Sequence, residues 1–154
     1  MSLNKCKIIL IAVDFSSDSR VAVDEGLALA KMAGADVILH HVIHDLPENP
    51  GFYHKKKDKK KSVHLMSDAA EDMMKEFIKE SGAGSFAKKN KIKITTSTSS
   101  GLPASAIIKA AKKSNASVIV VGTSGRSGLA KLLIGSNAQR VVQLSKIPVL
   151  VVQK

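Results

Sequence analysis

Tryptophan is absent from the 154-residue chain, and only four Phe and one Tyr are present. Proteins that read single-stranded nucleic acid stack its bases on aromatic side chains, so this composition does not favour that class. The single cysteine, Cys6, excludes an internal disulfide, and we interpret it as a packing residue of a strand. No apolar run approaches the ~20 residues that span a bilayer, so we expect no membrane partner.

A signal peptide is also missing from the sequence pattern, because the first residues have neither a basic segment nor an apolar stretch. We therefore expect a cytoplasmic protein. The length and the 44% hydrophobic content are typical of one globular domain, which we predict over residues 1–154.

The formal net charge of +11 raises the question of a polyanionic partner. The run Lys55–Lys61 holds six Lys and one Asp and supplies nearly half of this excess. We interpret it as part of an exposed, partly disordered loop over residues 44–61. Binding of a polyanion by Lys55–Lys61 is the alternative, although nucleic acid is not favoured as a partner.

Strand and helix patterns alternate along the whole chain. Strands are predicted over 5–13, 36–43, 91–97, 117–121 and 147–152, and helices over 17–33, 62–81, from 101 onward and 136–145. This alternation predicts an α/β fold, a three-layer doubly wound sheet of five parallel strands in the order 3-2-1-4-5 with helices on both faces. Ligands bind such sheets where the winding reverses, here after the first and fourth strands. The candidate loops therefore start at Asp14 and Gly122.

The second of these loops, from Gly122 to Ser136, contains glycines in the pattern Gly-x2-Gly-x9-Gly-Ser. Glycine lets backbone N–H groups approach an anion closely. Ser136 and Gln139 predict a capping box at the start of the next helix, whose N-terminus favours phosphate oxygens. Neither a Walker loop nor a Rossmann fingerprint is present. We therefore predict that this loop binds phosphates through a glycine spacing that differs from both of these motifs.

This spacing, the Val13-Asp14 end of the first strand and the closing Ile-Pro-Val-Leu-Val-Val resemble the universal stress protein family over the whole chain. Within the family, the glycine motif accompanies ATP binding. The resemblance implies a regulatory stress-response protein that binds ATP, or ADP or AMP, with Mg²⁺ or Mn²⁺ on the phosphates. It also implies a homodimer that pairs through the last strand, with the residues Val149, Leu150, Val151 and Val152.

The resemblance further implies where the nucleotide lies. Val13 and Asp14 would line the adenine and ribose, and backbone groups of Val42 would meet the adenine edge. Gly122 and Thr123 would lie beside the ribose. The phosphates would contact Gly125, Arg126, Gly135, Ser136 and Asn137.

Other interpretations stay open at this stage. Asp14 can instead cap the first helix, or it can serve a slow ATPase as a base or metal ligand, although no nucleophile and base pair lies near the loop. A receiver-type switch needs an acceptor Asp after the third strand, where the chain has Ser97–Ser100. His40 and His41 are neighbours in a strand and point to opposite faces, which disfavours a shared metal ion.

Overall fold

The computed structural model describes residues 6–43, 56–123 and 134–153, and the side chains of 6–43, 66–123 and 134–153. Their elements are β1 (Ile8–Val13), α1 (Ser17–Ala33), β2 (Asp36–Ile43), α2 (Lys56–Glu80), α3 (Ala83–Lys89), β3 (Ile94–Ser100), α4 (Pro103–Lys113), β4 (Val118–Gly122), α5 (Ser136–Leu144) and β5 (Val149–Val152). All strand pairs are parallel, and the order is β3-β2-β1-β4-β5. The predicted fold class and strand order are confirmed.

Apolar side chains cover both faces of the sheet, as expected for a doubly wound domain. Ile9 and Ile11 of β1 point to the face covered by α1, α2 and α3, where Phe77 joins their cluster. Leu10, between them, points to the opposite face and packs with Ile107 of α4 and the start of α5. Burial on both faces explains why β1 reads as a continuous apolar run.

Local signals fix both ends of α1. The Ser16 side chain accepts a hydrogen bond from the backbone of Ser19, and Gly34 ends the helix in the left-handed conformation, with φ of 63°. Gly26 allows the helix to approach β1 closely, since an added Cβ would lie 2.4 Å from Cδ1 of Ile11. The first crossover is therefore held tightly against the centre of the sheet.

The second helix starts earlier than predicted. α2 begins at Lys56, so residues 56–61 are helical, and the loop predicted over 44–61 is wrong for this part. Lysine is a good helix former, and a run of it does not by itself break a helix. Residues 44–55 lie outside the described part, as do the side chains of Lys55–Lys61. Polyanion binding by this run stays a prediction.

β1 starts at Ile8 and not at residue 5, so Cys6 is buried just before the strand. Larger differences from the sequence prediction occur at α3 and β3. Gly82 and Gly84 suggested only a helix break, but Gly82 in a left-handed turn leads into the short helix α3. β3 starts at Ile94 and continues to Ser100, so the segment 97–100 belongs to the strand and pairs with β2 along its length. The polar side chains of this segment resemble those of a loop, but Ser97 and Ser99 are hydrogen-bonded to His40 in the neighbouring strand β2.

β5 lies at one edge of the sheet, as expected from Pro148, but it begins at Val149, directly after this proline, and not at residue 147 as predicted. Within the described ranges, no helix combines the length and the apolar character required to cross a bilayer.

Candidate functional site

A cavity of about 840 Å³ lies at the carboxyl ends of β1, β2 and β4. Its sides come from α2 on one side of the sheet and from α4 and α5 on the other. This is the point where the winding of the sheet reverses, which is the expected ligand position in this architecture. Eight of the ten residues implied by the resemblance line the cavity: Val13, Asp14, Val42, Gly122, Thr123, Gly135, Ser136 and Asn137. The other two, Gly125 and Arg126, lie outside the described residues.

Asp14 organises the loop between β1 and α1. Its Oδ1 accepts hydrogen bonds from the backbone N–H of Ser16 at 3.1 Å, from Ser16 Oγ at 2.5 Å and from Ser19 Oγ at 2.5 Å. Its own backbone N–H donates to Ser19 Oγ at 2.9 Å. The cap of α1 is therefore Ser16, and Asp14 supports that cap while facing the cavity. A carboxylate with these donors is held in one orientation at the rim of the cavity.

Phe15 takes a left-handed backbone conformation, with φ of 65°, which is unusual for a bulky residue and costs roughly 1–3 kcal/mol. Its ring lies 4.5 Å from the ring of His41 and 5.7 Å from that of Phe77. These contacts hold the turn that follows Asp14. Sequence reasoning missed Phe15, because no glycine or asparagine marks the turn.

The two neighbouring histidines point to opposite faces, as predicted. His40 is buried, and its Nδ1 and Nε2 lie 2.8 Å and 3.0 Å from the hydroxyls of Ser97 and Ser99. Burial, followed by the charge of His41, lowers the pKa of His40 to about 4, so its ring is neutral at pH 7. His41 Nδ1 donates to the carbonyl oxygen of Val13 at 2.8 Å. It thereby joins the ends of β1 and β2 beside the cavity.

The opposite end of the cavity is lined by the described residues at the end of β4 and the start of α5, among them Thr123 and Gly135. The backbone N–H of Thr123 donates to the carbonyl of Val152 at 2.9 Å, and that of Gly135 donates to the carbonyl of Thr123 at 2.5 Å. These bonds place the first and last residues of the glycine-spaced loop side by side. The loop therefore starts and ends at the cavity wall.

The predicted capping box at Ser136 is wrong. The N-cap of α5 is Gly135, whose carbonyl accepts from the backbone of Gln139 at 3.0 Å, so Ser136 lies inside the first turn. Among the described residues, no side chain caps this helix end. The first three N–H groups, of Ser136, Asn137 and Ala138, have no intrahelical partner in any α-helix, and all three residues line the cavity. They provide a set of hydrogen-bond donors with a partial positive charge.

Gly122 has a packing role at the same site. A Cβ at this position would lie 3.2 Å from the carbonyl oxygen of Asp18 and 3.3 Å from its Cβ. The first turn of α1 thus closes onto the end of β4. Glycine at this position brings the two candidate loops together.

Comparison with known proteins extends these observations. The chain is similar to the universal stress protein MJ0531 of Methanocaldococcus jannaschii, with 32% identity over 98% of this chain and 84% of the relative. It is 31% identical to YxiE of Bacillus subtilis, over 94% of this chain and 97% of the relative. The solved structure of MJ0577, at 26% identity, superposes with a TM-score of 0.75 over 97% and 96% of the two chains.

Two solved structures of more distant proteins share the fold and contain nucleotides. One is a universal stress protein in complex with cAMP, with 23% identity and a TM-score of 0.61 over 96% of both chains. The other is the universal stress protein from Archaeoglobus fulgidus in complex with dAMP, with 21% identity and a TM-score of 0.60 over 94% and 96% of the chains. The model of the universal stress protein family matches residues 5–153. From this match and the relatives above 30% identity, we conclude that the chain belongs to the universal stress protein family.

Proposed function

We propose that the protein binds ATP, or ADP or AMP, in this cavity and acts as a regulatory stress-response module of the ATP-binding branch of its family. The observation that carries the proposal is the convergence of eight expected residues on one cavity at the switch point of the sheet. Strand ends and helix ends from four separate parts of the chain contribute them. If the glycines served only to form a tight turn, residues from four parts of the chain would have no reason to meet at one cavity.

The chemistry of the walls fits an adenine nucleotide, because the two ends of the cavity differ. Val13, Val42 and Ile43 offer apolar side chains and strand-end backbone groups to a flat base at the β1 and β2 end. Ser136, Asn137 and Ala138 offer backbone N–H groups and a helix N-terminus to phosphates at the other end. Asp14, which lines the same cavity, carries a carboxylate held by Ser16 and Ser19, and this carboxylate would accept hydrogen bonds from ribose hydroxyls.

Mg²⁺ or Mn²⁺ would be held mainly by the phosphates. In the ranges whose side chains are described, no group of three His, Cys, Asp or Glu side chains is placed to share a metal ion. Asp14 Oδ1 already accepts three hydrogen bonds. We therefore assign the protein regulated binding as its main activity, with slow hydrolysis assisted by Asp14 as the alternative. Turnover of ATP near one per second would favour the alternative.

The relatives with bound ligands support the ligand class. A universal stress protein is solved with cAMP and another with dAMP, both of which contain an adenine base and a phosphate. Titrations that compare the affinities of this protein for ATP, ADP and AMP would show how many phosphates it prefers.

The last strand is the surface that we propose for homodimer formation. β5 is an edge strand, and Leu150 of this strand is 38% exposed, whereas Val152 is buried in the core of its own chain. Leu144, in the last turn of α5, is 59% exposed. Replacement of Leu150 by Lys should shift the protein from dimer to monomer in light scattering. A wild type that is monomeric at high concentration would contradict this part of the proposal.

The test of nucleotide binding uses Gly135→Val. Gly135 has φ of −57° and ψ of 147°, a conformation that valine adopts easily, so the change adds bulk beside the donors without straining the backbone. Ser85→Val, at an exposed position of α3 away from the cavity, is the matched control. We expect mass spectrometry to detect an adenine nucleotide released from wild-type protein, and calorimetry with MgATP to give at least about tenfold weaker binding for Gly135→Val alone. A wild type that neither carries nor binds nucleotide with magnesium present disproves the proposal.

A further inference from the structure

The wall that α2 presents to the cavity contains two methionines. Met66, Ala69 and Met73 follow the spacing of one helix face and line the cavity, and each methionine is 43% exposed. The neighbouring face of α2 is different, since Met74 and Phe77 are buried in the core at 1% and 4% exposure. The helix therefore anchors itself with one stripe and offers a second, accessible stripe to the cavity.

This second stripe lies at the end of the cavity that suits a base. α2 packs against β2 and β3, on the side of the sheet away from β4 and β5. The N–H donors of Ser136 and Asn137 follow Gly135, which is bonded to Thr123 at the end of β4, on the other side of β1 from β2. A nucleotide with its phosphates at α5 thus extends its base toward α2.

We propose that Met66 and Met73 form a thioether wall for the adenine base, and that this wall is a site of oxidation by hydroperoxides that weakens nucleotide binding. This inference rests on the proposed function. It adds two residues that contact the base and a way in which oxidation regulates nucleotide binding. Methionine suits the role because its side chain is flexible and its sulfur packs favourably against aromatic rings. Both side chains are partly exposed, so a small oxidant can reach this wall.

The chemistry requires one hydroperoxide for each methionine. A sulfur lone pair attacks one oxygen of the O–O bond, the S–O bond forms as the O–O bond breaks, and the proton ends on the departing oxygen. The products are methionine sulfoxide and water, or an alcohol when the oxidant is an organic hydroperoxide. The sulfoxide is polar and chiral, so the apolar wall is lost, and sulfoxide reductases restore it.

The chain contains its own controls. Met32, in the last turn of α1, is 79% exposed and does not line the cavity. Met74 is in α2 but only 1% exposed. Treatment with hydrogen peroxide should therefore oxidise Met32, Met66 and Met73 and leave Met74 intact, as mapped by peptide mass spectrometry.

The experiment compares ATP and inorganic tripolyphosphate as ligands of wild type, Met32→Leu and the double variant Met66→Leu with Met73→Leu, before and after peroxide. Leucine nearly conserves volume and does not oxidise, so the ATP affinity of the double variant should be the same before and after peroxide, whatever its value in the untreated protein. In wild type and Met32→Leu we expect oxidation to weaken ATP binding about tenfold, and we expect treatment with a sulfoxide reductase to restore the affinity. Tripolyphosphate, which has no base, should bind each of the three proteins with the same affinity before and after peroxide.

A second double variant, Met66→Gln with Met73→Gln, imitates the polar wall without any oxidant. It should bind ATP about tenfold more weakly while its circular dichroism spectrum and melting temperature stay near those of wild type. Unchanged ATP affinity of oxidised wild type overturns this inference alone, as does an equal loss in the leucine double variant. Failure of reduced wild type to bind ATP overturns the proposed function and this inference together.

Discussion

Replacement of Ser19 by alanine tests whether the loop between β1 and α1 is held by the Asp14 carboxylate. The change removes a hydrogen bond of 2.5 Å from Ser19 Oγ to Asp14 Oδ1 and one of 2.9 Å from the Asp14 backbone N–H to Ser19 Oγ. A bond to a charged group contributes about 1.5–3 kcal/mol and a neutral bond about 1 kcal/mol. Because Ser19 is only 5% exposed, water replaces these bonds poorly. The two contributions together predict a loss of roughly 2.5–4 kcal/mol in the free energy of unfolding.

Urea denaturation and thermal melting measure this loss. For a chain of this size, 2.5–4 kcal/mol corresponds to a decrease in melting temperature of roughly 5–16 °C. Ser17→Ala is the matched control, because Ser17 is exposed and its hydroxyl lies at 3.5 Å from the Asp18 carboxylate; its effect should stay below about 0.5 kcal/mol. Nucleotide affinity should also decrease in Ser19→Ala, since Asp14 loses its orientation. Equal stability of the two alanine variants would refute the role of the carboxylate in ordering the loop.

The remaining predictions concern the core on either side of the site. Since the pKa of His40 is about 4 in the folded protein and about 6.5 in an unfolded chain, the unfolded state binds more protons between these values. Stability should therefore fall as the pH drops from about 7 toward 4, by up to about 3 kcal/mol. His40→Gln should flatten this slope in urea titrations, and an unchanged slope would contradict the assignment. Gly26→Ala should destabilise the protein by about 1–3 kcal/mol because its Cβ meets Ile11 Cδ1, and Ile11→Val, which removes that atom, should recover part of the loss in a double-mutant cycle.

Much of the fold could be predicted because the relevant signals are local. α1 and β2 have the predicted bounds, since Ser16 and Gly34 mark the ends of a strongly periodic helix and β2 is a short apolar run. The strand order followed from the alternation of elements and the handedness of crossovers. β3 starts and ends three residues later than predicted, because its polar residues pair with β2 and sequence periodicity does not reveal such partners.

The candidate site was predicted in part for a similar reason. The positions of Asp14 and Gly122 followed from the rule that ligands bind at the strand ends where the winding reverses. Phe15 and His41 were missed because their importance arises from a contact between the turn after β1 and the strand β2, which are distant in sequence. The thioether wall was missed because the periodicity of α2 shows two apolar stripes but not which of them faces the cavity.

The central claim is that backbone donors at the start of α5 bind the phosphates of an adenine nucleotide. Titration of isotopically labelled protein with MgATP, followed by the amide signals in NMR, tests it most directly. We predict large saturable shifts at the amides of Ser136, Asn137 and Ala138, with tripolyphosphate shifting the same three amides. Shifts confined to residues outside the cavity, or no shifts at millimolar ATP, would contradict the account.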